Sequence, residues 1–135
     1  MASFTYTFWT NKSATAVLGK LRDLFVQLGF SLKNSRSGMC HVWNEEGECS
    51  LIDVNFLQSI DSKKLPLGIQ WWRGEEDIFV TLAIEKSVGG IICYVRLVGL
   101  ARAEQAEIAR LLILHVVPDK HEFPDDFSVF QLGAQ

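Results

Sequence analysis

The middle of this chain is a succession of short segments in which apolar and polar residues alternate, and this pattern constrains the fold most. A period of two is that of a β-strand with one buried face. Turn-forming sequences such as NEEGE, RGEED and KSVGG separate the segments, and such short connections favour antiparallel neighbours in a meander. The predicted strands are residues 30–33, 39–43, 49–58, 69–72, 78–85 and 91–100.

An N-terminal strand and two helices complete the pattern. Residues 3–9 alternate in the same way, whereas residues 14–28 repeat apolar side chains at helical spacing behind Ser13, a suitable N-cap. Residues 101–117 form a second helical segment, which Pro118 ends. The order β-α-β5-α therefore predicts an α+β fold, with an antiparallel sheet of about five to six strands and two helices packed on one face.

The domain organisation follows from length and composition. A chain of 135 residues with 48% hydrophobic residues is the size of one globular domain, so residues 1–135 are predicted to form a single domain. The C-terminal tail, residues 118–135, carries Phe123, Phe127 and Phe130, and is therefore expected to pack on the body. The strand that neighbours the N-terminal strand is left open by the sequence.

Charge and cysteine content narrow the classes of protein. A net charge of −3 argues against sequence-independent binding to nucleic acid. Three cysteines are sparse for a disulfide-stabilised secreted module, and the first residues lack the pattern of a signal peptide. The apolar stretches are shorter than the ~18 residues of a membrane span. We therefore expect a cytoplasmic protein that binds neither nucleic acid nor membrane.

The sequence contains no motif for catalysis or metal binding. A phosphate-binding glycine loop, G-x-S-x-G, C-x-x-C and H-E-x-x-H are all missing. Cys40 and His41 are adjacent on a predicted strand, so they point to opposite faces and are poorly placed to share a metal. The prediction is a protein that is not an enzyme and has no catalytic residues, metal or cofactor.

Strand parity defines a candidate binding surface on the side of the sheet that faces away from the helices. Aromatic residues and single polar groups mix on this face, as they do at the centres of interfaces and in ligand sites. The alternatives are that the tail or the first strand covers the face, or that the aromatic pairs only stabilise the sheet. The residues predicted there are His41, Trp43, Asp53, Asn55, Gln70, Trp72, Phe79, Thr81, Tyr94 and Arg96.

Two turns form a second candidate surface. In a meander, alternate turns lie at the same end of the sheet, so NEEGE and RGEED are predicted to share one end and five basic residues the other. The clustered carboxylates would steer a basic partner, although exposed turns are often charged without any such role. The predicted partner-binding residues are Glu45, Glu46, Glu48, Trp72, Arg73, Glu75, Glu76 and Asp77, and the basic residues are Lys33, Arg36, Lys63, Lys64 and Lys86.

In being small, acidic, free of catalytic motifs and rich in Trp and Tyr that are expected to be exposed, the chain resembles bacterial immunity proteins, which protect against contact-delivered toxins. The resemblance covers the whole chain in size and style. It implies a cytoplasmic module that binds one basic toxin domain, such as a nuclease, and masks its active site with acidic and aromatic residues. The residues that suit that role are Glu45, Glu46, Trp72, Arg73, Glu75, Glu76 and Asp77.

Three alternatives remain open at the level of sequence. The stretch GECSLIDV is similar to the strand region of small acidic secretion chaperones. A small-molecule binder or enzyme could use the outer face if His41, Asp53 and Arg96 converge there, with Trp72 and Tyr94 as walls. A homodimer could bury the same face without an outside partner.

Overall fold

One antiparallel sheet organises the structure, a computed structural model that describes residues 4–60, 62–118 and 130–134. The α+β class with a single antiparallel sheet and two helices is confirmed. The sheet has seven strands in the order β3-β2-β4-β5-β6-β1-β7. The strands are β1 (Phe4–Thr10), β2 (Cys40–Trp43), β3 (Cys49–Ile52), β4 (Leu67–Arg73), β5 (Glu76–Ile84), β6 (Ile91–Val98) and β7 (Phe130–Ala134), and the helices are α1 (Ala14–Gln27) and α2 (Arg102–His115).

The N-terminal strand lies inside the sheet rather than at its edge. Phe4 of β1 pairs with Leu97 of β6 on one side and with Ala134 of β7 on the other. β7 belongs to the segment that was predicted to pack on the body, and the rest of that prediction, on residues 119–129, lies outside the described residues. Of the helices in the described ranges, none is long and apolar enough to cross a membrane.

Both helices cover the same face of the sheet, as predicted. Inward-facing side chains from β1, β2, β4, β5 and β6 form one apolar core with α1 and α2, in which Trp71 and Phe25 meet edge to face at 5.1 Å between ring centroids. The N-cap predicted for α1 is present, because the Ser13 hydroxyl accepts a hydrogen bond from the Ala16 N–H at 3.2 Å.

The third predicted strand, residues 49–58, is shorter than expected. β3 ends at Ile52, and Asp53 begins a 3₁₀ segment, Val54–Ser59, by accepting a hydrogen bond from the Asn55 N–H at 2.9 Å. This local bond competes with strand pairing. Leu57 and Ile60 are then buried in the core on the helical side of the sheet.

The strand order differs from a meander at one point, and this changes where the turns lie. β2 lies between β3 and β4 and is antiparallel to both, with Val42 opposite Ile69 and Trp43 opposite Gly68. The turn after β2 is therefore at the end of the sheet where β4 begins, whereas the turn after β4 is at the opposite end. The prediction that the two acidic turns share one end is wrong, because the connection from β3 to β4, described at residues 53–60 and 62–66, is a crossover on the helical side instead of a hairpin.

Candidate functional site

The candidate site is the outer face, defined as the side of the sheet opposite both helices. Its residues follow directly from register: Gln70 pairs with Phe79, Phe79 with Arg96, and Thr81 with Tyr94. Eight of the residues that strand parity predicted for this face lie on it. They are His41, Trp43, Gln70, Trp72, Phe79, Thr81, Tyr94 and Arg96. The first strand does not cover them, because β1 is hydrogen-bonded into the sheet plane beside β6.

Aromatic and cationic side chains form a connected row across the outer face. The ring centroids of Trp43 and Phe79 are 6.4 Å apart, and the Arg96 guanidinium lies 5.3 Å from the Phe79 centroid. At the other end of β2, His41 contacts Trp72 edge to face at 5.2 Å. Stacked and edge contacts of this kind limit ring motion, so the row is preorganised for contact with a partner.

A glycine makes room for the row. A Cβ atom on Gly68 would lie 2.5 Å from the Phe79 Cζ and 3.3 Å from the Trp43 Cβ. Sequence reasoning missed this residue, although a glycine between apolar positions of a strand is itself a sign of close approach by another group.

A chain of hydrogen bonds fixes the polar groups beside the row. Trp43 donates its indole N–H to the Gln70 Oε1 at 3.1 Å, and the Gln70 amide donates to the Asp77 carboxylate at 3.1 Å. Asp77 was predicted as part of an exposed turn, but it lies in β5 on the same face as Phe79. Its carboxylate is thus held on the outer face.

The outer face is shallow. Tyr94 is 41% exposed and Arg96 is exposed, whereas Trp43, Trp72 and Phe79 are half-buried. One depression of about 210 Å³ is lined by Thr5, Phe79, Thr81, Tyr94 and Arg96. A smaller one of about 80 Å³ has Trp43, Glu45, Gly68 and Phe79 among its lining residues. Small-molecule sites are usually deeper and enclose most of the ligand, so this geometry favours a macromolecular partner.

The residues of the predicted catalytic alternative do not converge. His41 on β2 and Arg96 on β6 are separated by β4 and β5, which corresponds to about 14 Å at the usual strand spacing. Asp53 and Asn55 are in the crossover on the helical side and not on the outer face, so their predicted placement is wrong. Within residues 4–60, 62–118 and 130–134, no group of three or more His, Cys, Asp and Glu side chains is arranged to hold a metal.

Arg73 and Glu76, predicted as partner-binding residues, are engaged within the protein. Arg73 donates to both oxygens of Glu76 at 3.2 and 2.9 Å and to the Leu28 carbonyl at 2.9 Å, and it forms an ion pair with Glu104. Its guanidinium also lies 4.5 Å from the Phe30 ring centroid. The hydrogen bond to Glu76 is the largest cause that raises the pKa of Arg73.

The acidic and basic residues are intermixed at both ends of the sheet. Glu45, Glu46 and Glu48 are exposed in the turn after β2, which is the end where Lys63, Lys64 and Lys86 also lie. Glu75 is exposed at the opposite end, near the loop that contains Lys33 and Arg36. The predicted separation into one acidic and one basic end is therefore wrong. The turn of residues 44–48 adjoins Trp43, and Asp77 at the start of β5 contributes the other carboxylate beside the row.

Comparison with family models, with curated proteins and with solved structures finds no match to this chain.

Proposed function

We propose that this protein is a binding module that docks one specific protein partner on its outer face. The observation that carries the proposal is the preorganised row of Trp43, Phe79 and Arg96, flanked by His41 and Trp72, on a sheet face that neither helix covers. Trp, Tyr and Arg are the residue types that most often dominate the energy of protein interfaces.

The charges beside the row favour a basic segment in the partner. Glu45 lines the same depression as Trp43 and Phe79, and the exposed carboxylates of Glu46 and Glu48 follow it in the turn. Asp77 adds a carboxylate on the face itself. Complementary charge at the border of an interface raises the association rate more than the affinity.

The biological role proposed for this module is that of a bacterial immunity-type inhibitor in the cytoplasm. A shallow face that is rich in aromatic residues and bordered by carboxylates suits the surface of a basic enzyme, such as a nuclease, whose active site it would mask. The small size and acidic balance of the chain support the same role.

The binding proposal is tested by capture experiments with matched variants. Tagged protein is incubated with lysate of the cells that naturally produce it, as wild type, as Tyr94→Ser/Arg96→Ser, and as Ile113→Ala/Leu114→Ala. The last pair is a control, because both side chains are more than half exposed on α2, away from the outer face. We expect one protein to be retained by the wild type and the control and lost by the outer-face variant.

Further measurements test separately the acidic turn, the outer face and the immunity role. Removing the charge of the turn with Glu45→Gln/Glu46→Gln/Glu48→Gln should slow association with the purified partner and weaken its salt dependence. A partner that binds equally well to the outer-face variant would contradict the proposed surface. A self-association that only the outer-face variant abolishes would show a homodimer instead. A partner that is harmless when expressed alone would contradict the immunity role while leaving the binding module intact.

A further inference from the structure

A second candidate site lies on the helical side of the sheet, in a cavity between α1 and the 3₁₀ segment. Its volume is about 310 Å³, and its apolar walls come from Leu18, Leu32, Leu57 and Trp71. Thr15 donates its hydroxyl to the Ile60 carbonyl at 2.9 Å and so fixes the distance between the two walls. A cavity of this size and composition is typical of sites for small apolar ligands.

Gly19 leaves the cavity open. It lies in the interior of α1, where glycine is less favourable than alanine, and a Cβ atom built there would meet no atom within 4 Å. Neither a close approach nor a left-handed backbone angle requires glycine at this position. The open space beside Gly19 is therefore available to an occupant.

Trp71 offers a hydrogen-bond donor without an acceptor. Its side chain is fully buried, it lines the cavity, and its indole N–H has no acceptor among the residues that the structure describes. A buried donor of this kind carries a desolvation cost. Because the N–H is out of reach of solvent, we use its resonance as a reporter of the cavity and not as a contact of the ligand.

Arg22 supplies a charge at the mouth of the cavity. Arg22, which is half-buried, and Leu32, which is buried, line both this cavity and an adjoining depression of about 520 Å³. Lys33 and Asp53 also line that depression. Arg22 makes no ion pair or side-chain hydrogen bond with any residue in the described ranges, whereas the Asp53 carboxylate accepts a bond from the Asn55 N–H. Lys33 also has no ion pair in the described ranges, but it lines only the adjoining depression, whereas Arg22 and the exposed Asp23 line the cavity itself. The Arg22 guanidinium is thus the cation that an anion in the cavity would meet.

We propose that this cavity binds an apolar molecule with a carboxylate group, which packs its body against Leu18, Leu57 and Trp71 and places its carboxylate at Arg22. The site is on the opposite side of the sheet from the outer face, so it does not depend on the proposed protein partner.

The test uses three eight-carbon probes, octanoate, octan-1-ol and octylamine, with the full-length protein. Binding is followed by titration calorimetry and by the indole N–H resonance of Trp71. We expect saturable binding of octanoate, weaker binding of the alcohol and the weakest binding of the amine, together with a shift of the Trp71 resonance. No saturable binding of octanoate, or an amine that binds as tightly, would overturn the proposal.

Variants then assign the contacts. Gly19→Leu should fill the cavity and weaken both octanoate and octan-1-ol, and Gly19→Ala should weaken them less while keeping the helix intact. Arg22→Gln should weaken octanoate by about tenfold but leave octan-1-ol unchanged, because only the carboxylate loses a charged hydrogen bond. Arg96→Gln, on the outer face, is the matched control and should bind octanoate like the wild type. Equal binding by Gly19→Leu, or equal losses of acid and alcohol in Arg22→Gln, would contradict the assignment.

Discussion

Replacing Arg73 with alanine should destabilise the protein more than any other single loss of a surface-accessible charge in the described part of the chain. Arg73 links four parts of the fold through the Leu28 carbonyl after α1, the Phe30 ring, Glu76 at the start of β5 and Glu104 in the first turn of α2. Its side chain is only 27% exposed. The substitution removes all these contacts together.

The size of the effect can be estimated contact by contact. Loss of the bond to the Leu28 carbonyl costs about 1 kcal/mol, and loss of the cation–π contact with Phe30 costs about 0.5–1 kcal/mol. The carboxylates of Glu76 and Glu104 are 31% and 38% exposed, so solvent screening reduces the two ion pairs to about 1 kcal/mol together. The sum is about 2–3 kcal/mol, which corresponds to a decrease in Tm of roughly 6–10 °C for a domain of this size.

The assay is urea denaturation followed by circular dichroism, with Arg110→Ala as the matched control. Arg110 also donates two hydrogen bonds to a glutamate three residues away, Glu107, at 3.0 and 2.6 Å. That pair is exposed and lies within a single helix, so its loss should leave the urea midpoint within experimental error. If the two variants lose the same stability, the reasoning that Arg73 connects separate elements is refuted.

Four further predictions concern glycines and cysteines. Gly19→Ala should raise the free energy of unfolding by about 0.5–1 kcal/mol, because the helix gains an unstrained alanine; urea denaturation checks this. Gly90→Ala should lower it by about 2 kcal/mol or more in the same assay, because its φ is +82° and a Cβ atom would lie 2.5 Å from a backbone carbonyl oxygen. A thiol reagent at pH 8 should modify only the exposed Cys49 in the native protein and all three cysteines in urea. Burial raises the pKa of both Cys40 and Cys93 above the ordinary 9.0, so the unfolded thiols ionise first and stability should fall as the pH rises above 9.

The composition of the outer face could be predicted from the sequence because side-chain direction in a strand depends only on parity. Once Ile69 and Trp71 are assigned to the core, Gln70 and Trp72 must point the other way. The same logic places Asp77 with Phe79 on the outer face. The helices were also predictable within one or two residues at each end, since their apolar stripes are local features.

Strand order could not be predicted in the same way, because it depends on pairing between distant residues. Whether β2 pairs with β4 on the side away from β3 is decided by the path of the connection that begins at Asp53. That path depends on the Asp53 cap and on the burial of Leu57 and Ile60, and the alternating pattern of residues 49–58 gives no sign of either. The prediction extended this strand to residue 58, whereas β3 ends at Ile52. For that reason it also placed the two acidic turns at the same end of the sheet.

The adjacent residues Trp71 and Trp72 explain how one strand serves both candidate sites. Strand parity directs Trp71 toward the cavity beside α1 and Trp72 toward the outer face, and both indole N–H groups are buried without an acceptor among the described residues. The central position of β4, paired with β2 and β5, fixes the register of both side chains at once. Because the sheet itself separates the two surfaces, Gly19→Leu and Tyr94→Ser/Arg96→Ser perturb them independently. Loss of partner binding in the first variant, or of octanoate binding in the second, would therefore indicate coupling through β4 and not a shared site.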